Sequence, residues 1–329
     1  MNQQHLMRKW LPRNIQIPAL GMGCWAIGGP FSSGQQPLGW GEVDDNESVS
    51  AIHAALEAGI RFFDTSDAYG TGHSETVLRQ ALYGRAEKVV VATKFGNTYD
   101  ASKRQLTGID VSPDYIRSAC DASRKRLGLD QIALYQLHVD DVGELAPRIQ
   151  DSLEQLCDDG VIAAYGWSTD NAEQASLWRA SDRLVSMQHA FNLFQPAPEM
   201  RKLCTARNLI SINRSPLAMG LLTAKFDSQT HLSATDIRMM PPDWLPFFSN
   251  GRPKHDFVEK IAAVRKLLSS DGRTLAQGAL GWIWSKSDHT LPIPGFRTVA
   301  QVQENARALE MGALPPGIVD QIDQLLAST

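Results

Sequence analysis

Four side chains able to donate, hold or steady a proton stand at or just past the ends of short apolar runs. Asp64 closes GIRFFD, Tyr69 follows it in DTSDAYG, Lys94 closes KVVVATK and His138 closes IALYQLH. Carbonyl reduction calls for such a set, because hydride must reach the carbon while a proton reaches the oxygen. A phenol titrates near about 10, so at neutral pH it keeps its proton but releases it poorly unless its anion is stabilised. A lysine ammonium beside it would lower that value, and an aspartate paired to the lysine would keep the ammonium charged and aimed. A histidine at the same place can position the oxygen or assist the transfer. Each residue alone reads as a cap, an ion pair or core packing. Their joint placement is what points to chemistry.

The elements that must gather them are legible as an alternation. Short apolar runs lie near residues 17–24, 61–66, 88–94, 132–138, 162–168, 184–190, 209–215 and 290–295. Buried parallel strands read as such continuous runs. Between them lie stretches of helical period, such as SPDYIRSACDASRKRLG and ELAPRIQDSLEQLCDDG. Ser112-Pro113 and Ser74-Glu75 read as helix starts, and Gly59, Gly84, Gly128 and Gly160 as helix ends. Eight such alternations predict an α/β fold, a (β/α)8 TIM barrel formed by residues 1–329 as a single domain, not an open doubly wound sheet. In such barrels reactive groups sit at the carboxyl ends of strands, where all four residues fall. Residues 226–256 read as a long Pro-rich, aromatic-bearing loop after the seventh strand, and PPGIVDQIDQLLAS as an extra C-terminal helix.

Composition narrows the classes. The chain has 329 residues and a net charge of -4, with no basic arm or lysine stripe, so a nucleic-acid partner is not expected. Cys24, Cys120, Cys157 and Cys204 are far apart and lack metal-ligand spacing, so no metal is expected and reduced thiols are. The first residues lack the apolar core of a signal peptide. No stretch approaches the roughly 20 apolar residues that span a bilayer. The reading is therefore a soluble, cytoplasmic protein with no membrane partner, of undetermined oligomeric state.

GIRFFDTSDAYG followed by GHSETVLRQAL, VVVATKFG and LYQLHVDD together make the chain resemble the aldo-keto reductase family along nearly its whole length. Within that family it is similar to the bacterial branch related to potassium-channel beta-subunits. The resemblance implies catalytic roles for Asp64, Tyr69, Lys94 and His138. It also implies NADPH/NADP+ as cofactor ahead of NADH, and a small carbonyl compound as substrate.

No GxGxxG follows the first strand, so a Rossmann site is not indicated. The family resemblance implies other contacts. Gly23 would allow close cofactor approach beside Cys24, and Trp25 would meet cofactor and wall the substrate pocket with Tyr69 and His138. Asp64, Ser168 and Gln188 would lie at the nicotinamide end. In RSPLAMGLLTAK, Ser215, Pro216, Leu217 and Gly220 would form a loop over the ring and pyrophosphate, and Lys225 would offset phosphate charge. Arg214, where many relatives carry an aromatic ring, could stack on nicotinamide or simply form an ion pair. In IPGFRTVAQVQEN, Gly295 shapes the turn, Arg297 and Gln301 would meet a 2′-phosphate, and Glu304 and Asn305 the adenine end. Trp244, Phe247 and Phe248 would complete the substrate pocket from the long loop. Two rivals to a carbonyl reductase stand: a Schiff-base aldolase acting through Lys94, and a nucleotide-sensing regulatory subunit with slow turnover.

Overall fold

The computed structural model describes residues 6–10, 12, 14–223, 225–226, 230 and 232–328. Eight parallel strands are hydrogen-bonded in chain order: β1 Met22–Gly23, β2 Phe62–Asp64, β3 Val90–Phe95, β4 Leu134–Leu137, β5 Tyr165–Ser168, β6 Leu184–Ala190, β7 Ile210–Arg214 and β8 Thr290–Pro292. The first and last strands meet. Gly21 N donates to Pro292 O and Gly23 N to Pro294 O, each at 3.0 Å, and Gly23 bridges Gly295 in parallel. A Cβ on Gly23 would lie 2.7 Å from Ile293 O, so the seam closes only around a residue without a side chain. The fold is a closed (β/α)8 barrel.

Helices α1 Asp45–Glu57, α2 His73–Leu82, α3 Pro113–Leu127, α4 Ala146–Asp158, α5 Ala172–Ser176 and α6 Pro198–Ala206 follow strands β1 to β6 in turn. After β7 come two helices, α7 His255–Leu268 and α8 Leu275–Lys286, and after β8 come α9 Val299–Met311 and α10 Pro316–Ser328. Local chemistry fixes several starts. Ser112 accepts from Tyr115 N with Pro113 in the first turn of α3, and Thr274 and Gln277 form a capping box on α8. The expected start at Ser74 is corrected, since α2 begins at His73 and the Ser74 hydroxyl instead donates to Cys24 O at 2.7 Å. That bond ties α2 to the end of β1.

Three further elements were not read from the sequence. A hairpin, Met7–Trp10 paired with Ile15–Pro18, precedes the barrel and takes the first two residues of what reads as one strand over 17–24. Its Trp10 is fully buried with Phe62, Val90, Leu134, Ile212 and Leu291, the side chains that fill the barrel interior. A small sheet of Ser32–Ser33, Gln36–Pro37, Asn97–Asp100 and Gln105–Ile109 stands over the other mouth. Helix α7 is the third. Within the long loop, residues 227–229 and 231 lie outside the described residues; the rest carries a short 3-10 turn, Ile237–Met239, and a two-strand pairing of Phe248–Ser249 with Arg252–Pro253.

Candidate active site

Register places the reactive groups. Asp64 ends β2 opposite Gly23 and Ala92, Lys94 lies in β3 opposite Gln136 of β4, and His138 N continues the ladder by donating to Phe95 O. Tyr69 arrives on the loop after β2. That loop touches the one after β1 through two glycines: a Cβ on Gly70, at φ 59°, would sit 1.9 Å from Gly28 O. The close approach stacks the Tyr69 ring on Trp25, with centroids 5.9 Å apart and planes 22° apart.

Lys94 is the hub. Its Nζ donates to Asp64 Oδ2 at 2.6 Å, to Thr65 O at 2.8 Å and to the Tyr69 hydroxyl at 3.3 Å. Asp64 Oδ1 accepts from Gln188 Nε2 at 2.7 Å and from Gln136 Nε2 at 3.2 Å. A buried ion pair persists only with such extra hydrogen bonds to satisfy it. Burial alone would pull the Lys94 ammonium down, but Asp64 and then Tyr69 outweigh it and hold it above the ordinary lysine value. For Tyr69 the balance goes the other way. Enclosure pushes its hydroxyl above the ordinary phenol value, the Lys94 charge and hydrogen bond pull it back, and Asp64 adds to the rise. Lys94 lowers the phenol as expected, but burial outweighs it and the net shift is upward. His138, beside Tyr69 with ring centroids 5.9 Å apart, is held well below its ordinary value by burial and then by the Lys94 and Arg214 charges. It is neutral.

These groups open into a cleft of about 890 Å³ that runs across the carboxyl end of the barrel. Gly23, Trp25, Asp64, Tyr69, His138, Ser168, Gln188, Arg214, Ser215, Pro216, Leu217, Gly220, Lys225, Gly295, Arg297, Gln301, Glu304 and Asn305 all line it. Cys24 does not; it is fully buried, with its thiol near Met22 O. Of the loop aromatics, Trp244 lines the cleft within 6.1 Å of Trp25, but Phe247 and Phe248 are buried. Phe247 packs on Phe194 and Phe257, and Phe248 on Phe226, so neither completes the pocket.

Several side chains are already engaged. Gln188 gives its amide N–H to Asp64, leaving Oε1, which Ser168 Oγ approaches at 3.5 Å. Arg214 forms an ion pair with Asp170, the alternative open in the sequence, while still facing the cleft. Arg297 donates to Trp40 O at 3.0 Å and to Glu42 O, and its N–H donates to Gln301 Oε1 at 2.8 Å. At that end partial burial pulls the Lys225 ammonium down, and Arg238 and Arg297 press it further against the opposing Glu304. An anion would relieve this crowding of cations. The cleft thus carries Tyr69 and His138 along one stretch and the cations Lys225, Arg238 and Arg297 along another. Among the described residues no group of three His, Cys, Asp or Glu could hold a metal ion, and no helix is long and apolar enough to cross a membrane.

Sequence reasoning passed over Ser66, Asp67 and Gln136, all buried against the site. DTSDAYG carries the first two in plain view, but nothing in their spacing says what they touch.

Comparison with known proteins gives the same frame. A family model described as the aldo/keto reductase family matches residues 19–327. The chain is 28% identical over 307 residues to yakc, an NADP(+) aldo-keto reductase of Schizosaccharomyces pombe, covering 91% of this chain and 85% of that one. It is 31% identical over 320 residues to the chloroplastic pyridoxal reductase of Arabidopsis thaliana, covering 90% and 80%. The glycerol dehydrogenase structure from Gluconobacter oxydans superposes with a TM-score of 0.83 at 27% identity, covering 99% of this chain and 96% of that one.

Proposed function

The chain belongs to the aldo/keto reductase family, and from that premise we propose that it reduces a small aldehyde or ketone to the alcohol with NADPH, Tyr69 giving the proton. The observation that carries this reading is the Lys94 ammonium bonded at once to Asp64 and to the Tyr69 hydroxyl at the edge of the cleft. A phenol held above its usual range keeps its proton until a stronger base forms beside it. The alkoxide that develops from a carbonyl is such a base, and Lys94 then faces the emerging phenolate as a fixed positive charge. His138, neutral and on the same wall, steadies the carbonyl oxygen. Trp25 and Trp244 supply the apolar walls that select a small substrate and exclude water.

The residues present fit a dinucleotide. Lys225, Arg297 and Gln301 would hold its 2′-phosphate, Glu304 and Asn305 the adenine end, and Ser215, Pro216, Leu217, Gly220 and Gly295 the backbone surface beneath the pyrophosphate. Gly23, Asp64, Ser168, Gln188 and the guanidinium of Arg214 would hold the nicotinamide end. When bound, this cofactor supplies hydride. The yeast relative named for NADP(+) supports the choice over NADH.

The geometry speaks against Lys94 as an amine nucleophile, because Asp64 keeps it protonated and a Schiff base needs the free amine. The test is NADPH oxidation against a panel of aldehydes and ketones with the purified chain alone. Multiple turnovers on at least one carbonyl class are expected. A protein that binds NADPH yet turns over every carbonyl only slowly would favour the nucleotide-sensing subunit instead.

A further inference from the structure

The buried carboxyl of Asp67 has no part in the chemistry above, yet one hydroxyl separates it from His138. Ser66 Oγ lies 3.2 Å from Asp67 Oδ1 and 3.3 Å from His138 Nδ1, and it accepts the Ala68 N–H at 3.1 Å. Both Ser66 and Asp67 are closed to solvent. A serine hydroxyl has one proton, so it cannot donate to both neighbours at once. From this geometry we propose that Asp67, acting through Ser66, selects which ring nitrogen of His138 carries the proton. Asp67 is thus a positioning residue for the reduction, and the proposal rests on the reading of His138 given above.

Two arrangements satisfy the chain of bonds. With Asp67 protonated, its O–H donates to Ser66 Oγ, the serine O–H donates to His138 Nδ1, and the ring proton sits on Nε2. His138 lines the cleft, so that N–H is available to a carbonyl oxygen. With Asp67 ionised, the serine O–H turns to the carboxylate and Nδ1–H donates to Ser66 instead. The ring proton has then moved through solvent from Nε2 to Nδ1, and Nε2 offers the carbonyl a lone pair in place of a proton. Only the first arrangement supports reduction.

The surroundings place the changeover near neutrality. On α2, Glu75 has taken the available cation: Arg126 of α3 donates to Glu75 Oε2 at 2.6 Å, and Thr93 of β3 donates to Oε1 at 2.6 Å. Burial, then the Glu75 charge, push the Asp67 carboxyl up to about 8, against the pull of Arg126 and the hydrogen bonds from Ser66 and Ala68. Tyr99, Tyr115 and Tyr135 face the same pocket and are all raised by burial, so they stay neutral across this range. Burial, and then the charges of Lys94 and Arg214, keep the imidazole from gaining a second proton.

The test is nitrogen-15 NMR of the histidine-labelled full chain, which distinguishes protonated from bare ring nitrogens without substrate. His138 is expected to carry its proton on Nε2 at about pH 6 and on Nδ1 at about pH 10. Asp67→Asn, which cannot titrate, and Ser66→Ala, which removes the bridge, should each abolish the change. In the wild type, kcat/KM for carbonyl reduction should fall about tenfold per pH unit above the changeover, and Asp67→Asn should flatten that limb. A ring that keeps one tautomer throughout, or that switches unaltered in Asp67→Asn, would overturn the proposal. Tyr69→Phe is assayed in parallel: full reduction there would undo the proton-donor reading while leaving the NMR result to stand or fall alone.

Discussion

Asp64 accepts three hydrogen bonds from three different strands, and this explains how a buried lysine stays charged next to a phenol. The cationic end of the cleft works by a different logic. Arg297 spends its donors on the carbonyls of Trp40 and Glu42, so the loop after β1 lies where a phosphate would compete for them. If Arg297 recognises a 2′-phosphate, Arg297→Ala should raise the NADPH dissociation constant by about tenfold or more, as loss of a charge-assisted contact does. The NADH constant should change much less. Titrations of cofactor fluorescence in which both rise equally would count against that contact. At this scale the sequence was informative about residue types and poor on partners. Asp64, Tyr69, Lys94 and His138 announce themselves because strand ends are easily located. The commitment of Gln188 to Asp64, and of Arg297 to main-chain carbonyls, depends on residues far away in the chain.

The strands were legible because a buried parallel strand has no polar face to confuse the pattern. The run at 184–190 coincides with β6, and 209–215 differs from β7 by one residue at each end. What failed has physical causes. Helix α7 buries only Ile261, Val264 and Leu268, and its many charges hide that thin stripe. The small sheet over the mouth is partly exposed and lacks alternation. One element-scale device is the contact between the loops after β1 and β2. Gly70→Ala puts a methyl group into Gly28 O, so the loops must separate and carry Tyr69 off Trp25. A stability loss on the order of 1–3 kcal/mol is expected from overpacking, with kcat falling more than cofactor affinity. A variant that melts like the wild type and keeps its kcat would show that this contact does not place the phenol.

At the scale of the molecule, the barrel has a packed interior and two differently finished mouths. The hairpin Met7–Trp10 and Ile15–Pro18 closes the amino-terminal mouth with Trp10, whose ring meets Phe62 edge-on at 6.3 Å. The other mouth holds the cleft. The cleft and the hairpin thus lie at opposite ends, the placement by which barrels of this kind separate chemistry from stability. Trp10→Ala should cost about 3–5 kcal/mol in denaturant unfolding while leaving the cofactor affinity of the folded fraction unchanged. A large change in affinity with little loss of stability would contradict the separation. The central claim, that Tyr69 supplies the proton, is tested most directly by single-turnover reduction with Tyr69→Phe and prebound NADPH. The variant should bind NADPH as the wild type does and transfer hydride roughly 10²–10⁴ times more slowly. Transfer at the wild-type rate with the hydroxyl gone would contradict it.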